Sequence, residues 1–70
     1  MDPVSEGDRV ELKAEADPAF GGWCCSASNV DPAAKTAFVS LTHKPDCTVL
    51  RDPVPLRRVP WDMLDPCHCA

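Results

Sequence analysis

Cys67-His68-Cys69 sets three metal-capable side chains in a row near the end of the chain. Thiolate and imidazole are the donors that Zn2+ takes in tetrahedral sites, and Cys47 or His43 could complete such a set. The spacing argues the other way. Structural zinc sites usually join two Cys pairs, each about two to four residues apart, and the sequence has no second pair of that kind. The expectation is therefore no cofactor and no assigned metal site, with Cys47, Cys67, His68 and Cys69 kept as the zinc candidates. Residues so near a chain end are expected to form a mobile, oxidisable tail.

Cys24 and Cys25 are adjacent, and on a strand they point to opposite faces. Cys25 shares parity with Trp23 and Ala27, so one of the two thiols is expected in the core as a small apolar side chain. The five cysteines are an odd number, and Met1–Glu6 is acidic with no apolar run of the kind an export signal needs. Free thiols in a reducing, intracellular setting (cytoplasmic or nuclear) are expected rather than a disulfide framework. Two disulfides with one free thiol is the alternative for a piece of a secreted chain.

Trp23 follows Gly21-Gly22, where the backbone can turn sharply. Its ring can serve as a ligand contact or as a buried plug with its N–H on a carbonyl. His43 falls on a loop, where a single histidine is usually solvated. No spacing forces a Ser-His-Asp or Cys-His arrangement, and no Gly-rich phosphate loop is present. No catalytic residue is assigned.

The elements that must position these residues are short. Asp-Pro occurs five times, at 2–3, 17–18, 31–32, 52–53 and 65–66, and each reads as a turn because Pro fixes φ and lacks an amide donor. Helices of average length do not fit between them. Arg9–Ala14 alternates polar and apolar residues, Gly22–Val30 and Thr36–Thr42 are strand-like, Cys47–Leu50 is a shorter run, and Val59-Pro60-Trp61 could close the set. Seventy residues with 44% hydrophobic and 26% charged side chains allow one small domain and exclude a large enzyme with its own deep cleft. No apolar run approaches the roughly 20 residues of a membrane span. The net charge of −4 sits in residues 1–35, which hold seven acids against three bases. That balance disfavours nucleic acid and favours a basic protein segment as partner.

The order of these runs resembles the SH3-like barrels of the Tudor/Agenet group. Glu6-Gly7-Asp8-Arg9-Val10-Glu11 is similar to the family's opening strand, and Gly22-Trp23-Cys24-Cys25-Ser26-Ala27 to its aromatic-led second strand. Phe38-Val39-Ser40-Leu41 and Val54-Pro55-Leu56-Arg57-Arg58-Val59 match the third strand and the closing turn. The resemblance implies an all-β, five-stranded barrel over residues 1–64, with 65–70 as a Cys/His-containing tail. It also implies a binding surface near Trp23. The aromatic cage with which such readers hold a methylated cation is incomplete. Trp23 stands at one wall, but Leu41 and Lys44 stand where further aromatics belong, and Ala14 occupies the first-strand wall position.

The resulting expectation is a non-enzymatic interaction module that binds a basic protein or peptide segment through Trp23, Leu41, His43, Lys44 and Glu11. A weak methyl-lysine or methyl-arginine reader is one alternative. The other is an oligomeric barrel with a shared pore, similar to plasmid-type dihydrofolate reductases, which also open with Gly-Asp-Arg-Val. Those enzymes carry a Val-Gln-Ile-Tyr run that is absent here. Small barrels bury little surface alone, so a homo-oligomer is a possible state.

Overall fold

The structure is a computed structural model and describes residues 1–69. Five strands follow one another along the chain: β1 (Arg9–Leu12), β2 (Cys24–Asp31), β3 (Thr36–His43), β4 (Val49–Pro60) and β5 (Leu64–Pro66). A 3-10 turn, Trp61–Met63, joins the last two. The strands form one antiparallel sheet in the order β4-β3-β2-β1-β5. The all-β expectation holds, as does the number of strands.

Alternation builds the core. Val10 and Leu12 of β1, and Ala37, Val39 and Leu41 of β3, point inward from every second position. Cys25 and Ala27 of β2 meet Leu41 and Val39 across the ladder. Val4, Val59, Trp61 and Leu64 complete the cluster.

The turn between β4 and β5 shows how the sheet is shaped. In a flat sheet the two edges would lie about 19 Å apart, four strand spacings. The chain crosses from one edge to the other through three residues in 3-10 form, a reach of roughly 8 Å. The sheet therefore curls until its edges approach, with Trp61 buried where they meet. The turn is pinned on both sides. Trp61 N–H donates to the Lys35 carbonyl at 2.9 Å, and Lys13 N–H donates to that of Met63 at 3.0 Å.

Among the described residues no ladder joins β4 to β5, so the sheet is not closed into a barrel. Proline supplies a physical reason. Pro53, Pro55 and Pro60 in β4 and Pro66 in β5 carry no N–H, so both edges lack donors at those positions for a fifth, closing pairing.

Two of the Asp-Pro pairs also fall inside strands rather than in turns. Asp52-Pro53 sits in an irregular stretch of β4 between the Leu41–Val54 and His43–Val49 pairs, and Asp65-Pro66 ends β5. Edge strands are where a sheet tolerates Pro. Val59-Pro60-Trp61 is no final strand, since it ends β4 and begins the turn. The boundary drawn between residues 64 and 65 falls within β5, Leu64–Pro66; Ala70 lies outside the described residues.

Candidate functional site

Four of the five cysteines are paired, Cys24 with Cys67 and Cys47 with Cys69. This corrects the expectation of free thiols and of a loose tail. The pairs close sequence separations of 43 and 22 residues. In the chain-entropy view such loops contribute about 4 and about 3 kcal/mol, amounts comparable to what a core this small supplies alone.

Cys24 pairs with Glu11 and Cys25 with Val10, so the two adjacent cysteines face opposite sides of β2. Thr42 is extra in β3, so that Cys24 pairs with His43 while Cys25 pairs with Leu41, and both cysteines are buried. Cys25 is the free thiol among the described residues, and burial pushes it up to about 12. It is a core side chain rather than a nucleophile.

His68 lies between the two bridges. Its Nδ1 faces Glu11 Oε1, and its Nε2 donates to the Pro45 carbonyl at 2.8 Å. Two acceptors on two ring nitrogens suit an imidazolium. Glu11 first, and then the Pro45 carbonyl, hold His68 above its ordinary pKa. Its Nε2 is also 3.6 Å from Cys69 Sγ. The donor atoms of Cys24, His68 and Cys69 all lie within 4.8 Å of one another. With both bridges formed, the sulfurs are not available as thiolates for a metal.

The structure divides the residues expected at a binding surface. Leu41 is in the core, 2% exposed, and supplies no contact. His43 is buried rather than solvated, because alternation along β3 continues one residue past the expected strand end. Its Nε2 accepts from Arg9 Nη2 at 2.7 Å, and its Nδ1 lies 2.9 Å from Thr42 Oγ1. Trp23 is half-buried and packs edge-to-face on Phe20, with ring centroids 5.2 Å apart. Lys44 is exposed on the β3–β4 loop, where its N–H donates to the Thr48 carbonyl at 2.9 Å. Glu11 is half-buried beside His68.

Beside this cluster, an open groove of about 570 Å3 runs between the end of β1, the β1–β2 loop and β5. Glu11, Glu15 and Asp65 line it, with Lys13 as the cation, and Gly21-Gly22 form part of its wall. Lys13 stands 3.9 Å from Asp65, whereas Glu15 makes no ion pair among the described residues. Gly21 is fixed by crowding, because a Cβ there would lie 2.7 Å from the Ala14 Cα. Gly22 takes φ +86°, a conformation that favours glycine. The acidity of Glu11 and Glu15 was readable in the sequence, but Asp65 joins them only because β5 pairs with β1, Asp65 opposite Glu11. A second hollow, of about 410 Å3, lies beside Trp61, and its Asp2 and Lys35 are paired with each other at 3.0 Å.

No protein-family model, curated protein or solved structure matches the chain.

Proposed function

We propose that the chain is a small SH3-like binding module, without catalytic activity, that takes a basic segment of a protein partner into the groove of Glu11, Glu15 and Asp65. Support for the SH3-like reading comes from the strand order and from the short turn that carries the chain from one sheet edge to the other. Support for the partner comes from one observation above all: three carboxylates share an open groove with a single lysine. Trp23, half-buried against Phe20, follows the groove's Gly22 in the chain.

The groove is open to solvent, and that sets the strength of binding. Each exposed ion pair contributes roughly 0.2–1 kcal/mol. Glu11 and Asp65 already face His68 and Lys13, which leaves Glu15 as the carboxylate without an ion pair among the described residues. The attraction is therefore weak and salt-sensitive, and it mainly speeds encounter and selects sign. The test is a titration with a Lys/Arg-rich peptide at low salt, read by calorimetry, against a Glu/Asp-rich peptide of equal length. The expected result is binding of the basic peptide alone, weakened by salt and by Glu15→Lys. Equal binding of both peptides, or none, removes the proposal.

The methyl-cation alternative rests on Trp23 as its single aromatic wall, with Leu41 buried at the position of a second. The shared-pore oligomer has one observation in its favour, the exposure of Val49 and Val54 (68% and 47%) on the edge strand β4. Sedimentation as a monomer at micromolar concentration would exclude it.

The compartment follows the state of the four cysteines. Paired, they suit an oxidising setting. The intracellular setting expected from the sequence requires them as thiols, which have another use.

A further inference from the structure

We propose that Cys24, Cys47, Cys67 and Cys69, when reduced, form a Zn2+ site that replaces the two disulfides and holds the same parts of the chain together.

The geometry begins with the sulfurs. Cys24 Sγ and Cys69 Sγ belong to different bridges, yet they lie within 4.8 Å of each other. Each is covalently bonded to its partner sulfur. The four sulfurs thus run as a chain, Cys67–Cys24 and Cys69–Cys47 bonded at its ends and Cys24 and Cys69 within 4.8 Å at its middle. Four thiolates around Zn2+, at about 2.3 Å from the metal, stand about 3.8 Å apart. Rotation of the cysteine side chains about χ1 is enough to open the bonded pairs to that spacing, since the Cα atoms of each pair are already 5.5 Å apart. Soft thiolates in a tetrahedral set select Zn2+ over the hard cations.

The ligands come from three places: the start of β2, the β3–β4 loop, and the segment after β5. These are the places that the bridges tie, so a bound ion would preserve the fold that reduction alone would loosen. His68 is engaged by Glu11 and the Pro45 carbonyl, which leaves it as a neighbour of the Cys69 sulfur rather than a fourth ligand. An N–H held beside a bound thiolate is an ordinary outer-shell support.

The chemistry balances. Two equivalents of a dithiol reductant deliver four electrons and four protons. Both S–S bonds break, four S–H groups form, and each reductant closes to its own disulfide. One Zn2+ then forms four Zn–S bonds and releases four protons to solvent. Reoxidation expels the ion.

The experiment uses the whole chain reduced with a phosphine, which takes oxygen from water to become its oxide and leaves no competing thiol. Co2+ is added first as the visible probe, then Zn2+. The expected result is one Co2+ per chain with the visible bands of a tetrahedral thiolate site, bleached by one Zn2+. Recovery of the tryptophan near-ultraviolet signal should accompany binding. Cys47→Ser should weaken Zn2+ binding on the order of 100-fold or more, since a lost ligand exceeds a lost outer-shell contact, while Cys25→Ala should leave the stoichiometry unchanged. Reduced wild-type chain that gives no tetrahedral cobalt bands, or oxidised chain that gives the same bands, overturns the proposal.

Discussion

Arg9 of β1 reaches across β2 to His43 of β3, its Nη2 donating to the imidazole Nε2 over 2.7 Å. The other ring nitrogen of His43 faces Thr42 Oγ1, whose hydroxyl in turn donates to the Cys24 carbonyl at 3.3 Å. The chain of contacts leads from β1 through the bulge in β3 to the backbone of Cys24. It fixes the end of β3 beside the disulfide cluster. His43→Ala should cost about 1–3 kcal/mol, as Arg9 and Thr42 lose their shared partner. Gln, which can accept from Arg9 and donate to Thr42, should recover part of that loss. Urea unfolding of the two variants checks this, and equal loss in both would contradict the relay.

Cys25 should resist modification. Its thiol is buried in the core and pushed up to about 12, so little thiolate exists near neutral pH. In the oxidised protein, a maleimide at pH 8 should label Cys25 only as fast as the chain opens. Labelling should accelerate sharply through the urea transition. Reaction of the folded protein at the rate of an exposed thiol would show that this part of the sheet is not closed over.

The β1–β2 loop is tied to β4 through Asp17, whose carboxylate accepts from Arg57 Nη1 at 2.8 Å. That hydrogen bond leads the causes that hold Asp17 below its usual pKa of 3.8, opposed by partial burial and aided by the Ala19 amide. A lowered folded value means that the contribution to stability is present above pH 3.8 and lost as pH falls through the folded pKa. Arg57→Ala should move the Asp17 titration, followed by carboxyl NMR, back upward. An unchanged Asp17 titration would mean that Arg57 is not its main partner.

Gly21 tests the wall of the groove. Its missing Cβ would meet the Ala14 Cα at 2.7 Å, and Ala14 belongs to the same wall. Gly21→Ala should force the backbone apart, at a cost of about 1–3 kcal/mol, and should weaken peptide binding. Gly7 has open space about it, so Gly7→Ala meets only its backbone preference at φ +82° and should leave binding unchanged. If Gly21→Ala is neutral in both stability and binding, the close approach of the two segments is not needed for the groove.

The alternation that makes β1 and β3 was visible in the chain because every second residue is apolar, and Cys25 could be placed in the core by the same parity. Other features depend on contacts that parity does not encode. The β3 bulge at Thr42, which sets Cys24 opposite His43, is announced by no local pattern. Pro53, Pro55, Pro60 and Pro66 read as breaks because a Pro in mid-sheet is excluded, but edge strands accept them, and edge position is a property of the finished sheet. The pairing of four cysteines likewise has several solutions on paper. It is settled by β5 lying beside β1, which carries Cys67 to Cys24 and leaves Cys69 for Cys47. Glu11, expected at a binding surface for its charge, lines the groove, whereas Leu41 and His43, expected there by likeness to a strand and loop, are buried.

Amide NMR of the isotope-labelled protein titrated with an oligolysine peptide at low ionic strength tests the binding reading most directly. The account predicts shifts concentrated at Glu11, Glu15, Gly21, Gly22 and Asp65, disappearing as salt is raised. Shifts confined to the β4 edge, or a spectrum that the peptide leaves untouched, would contradict it.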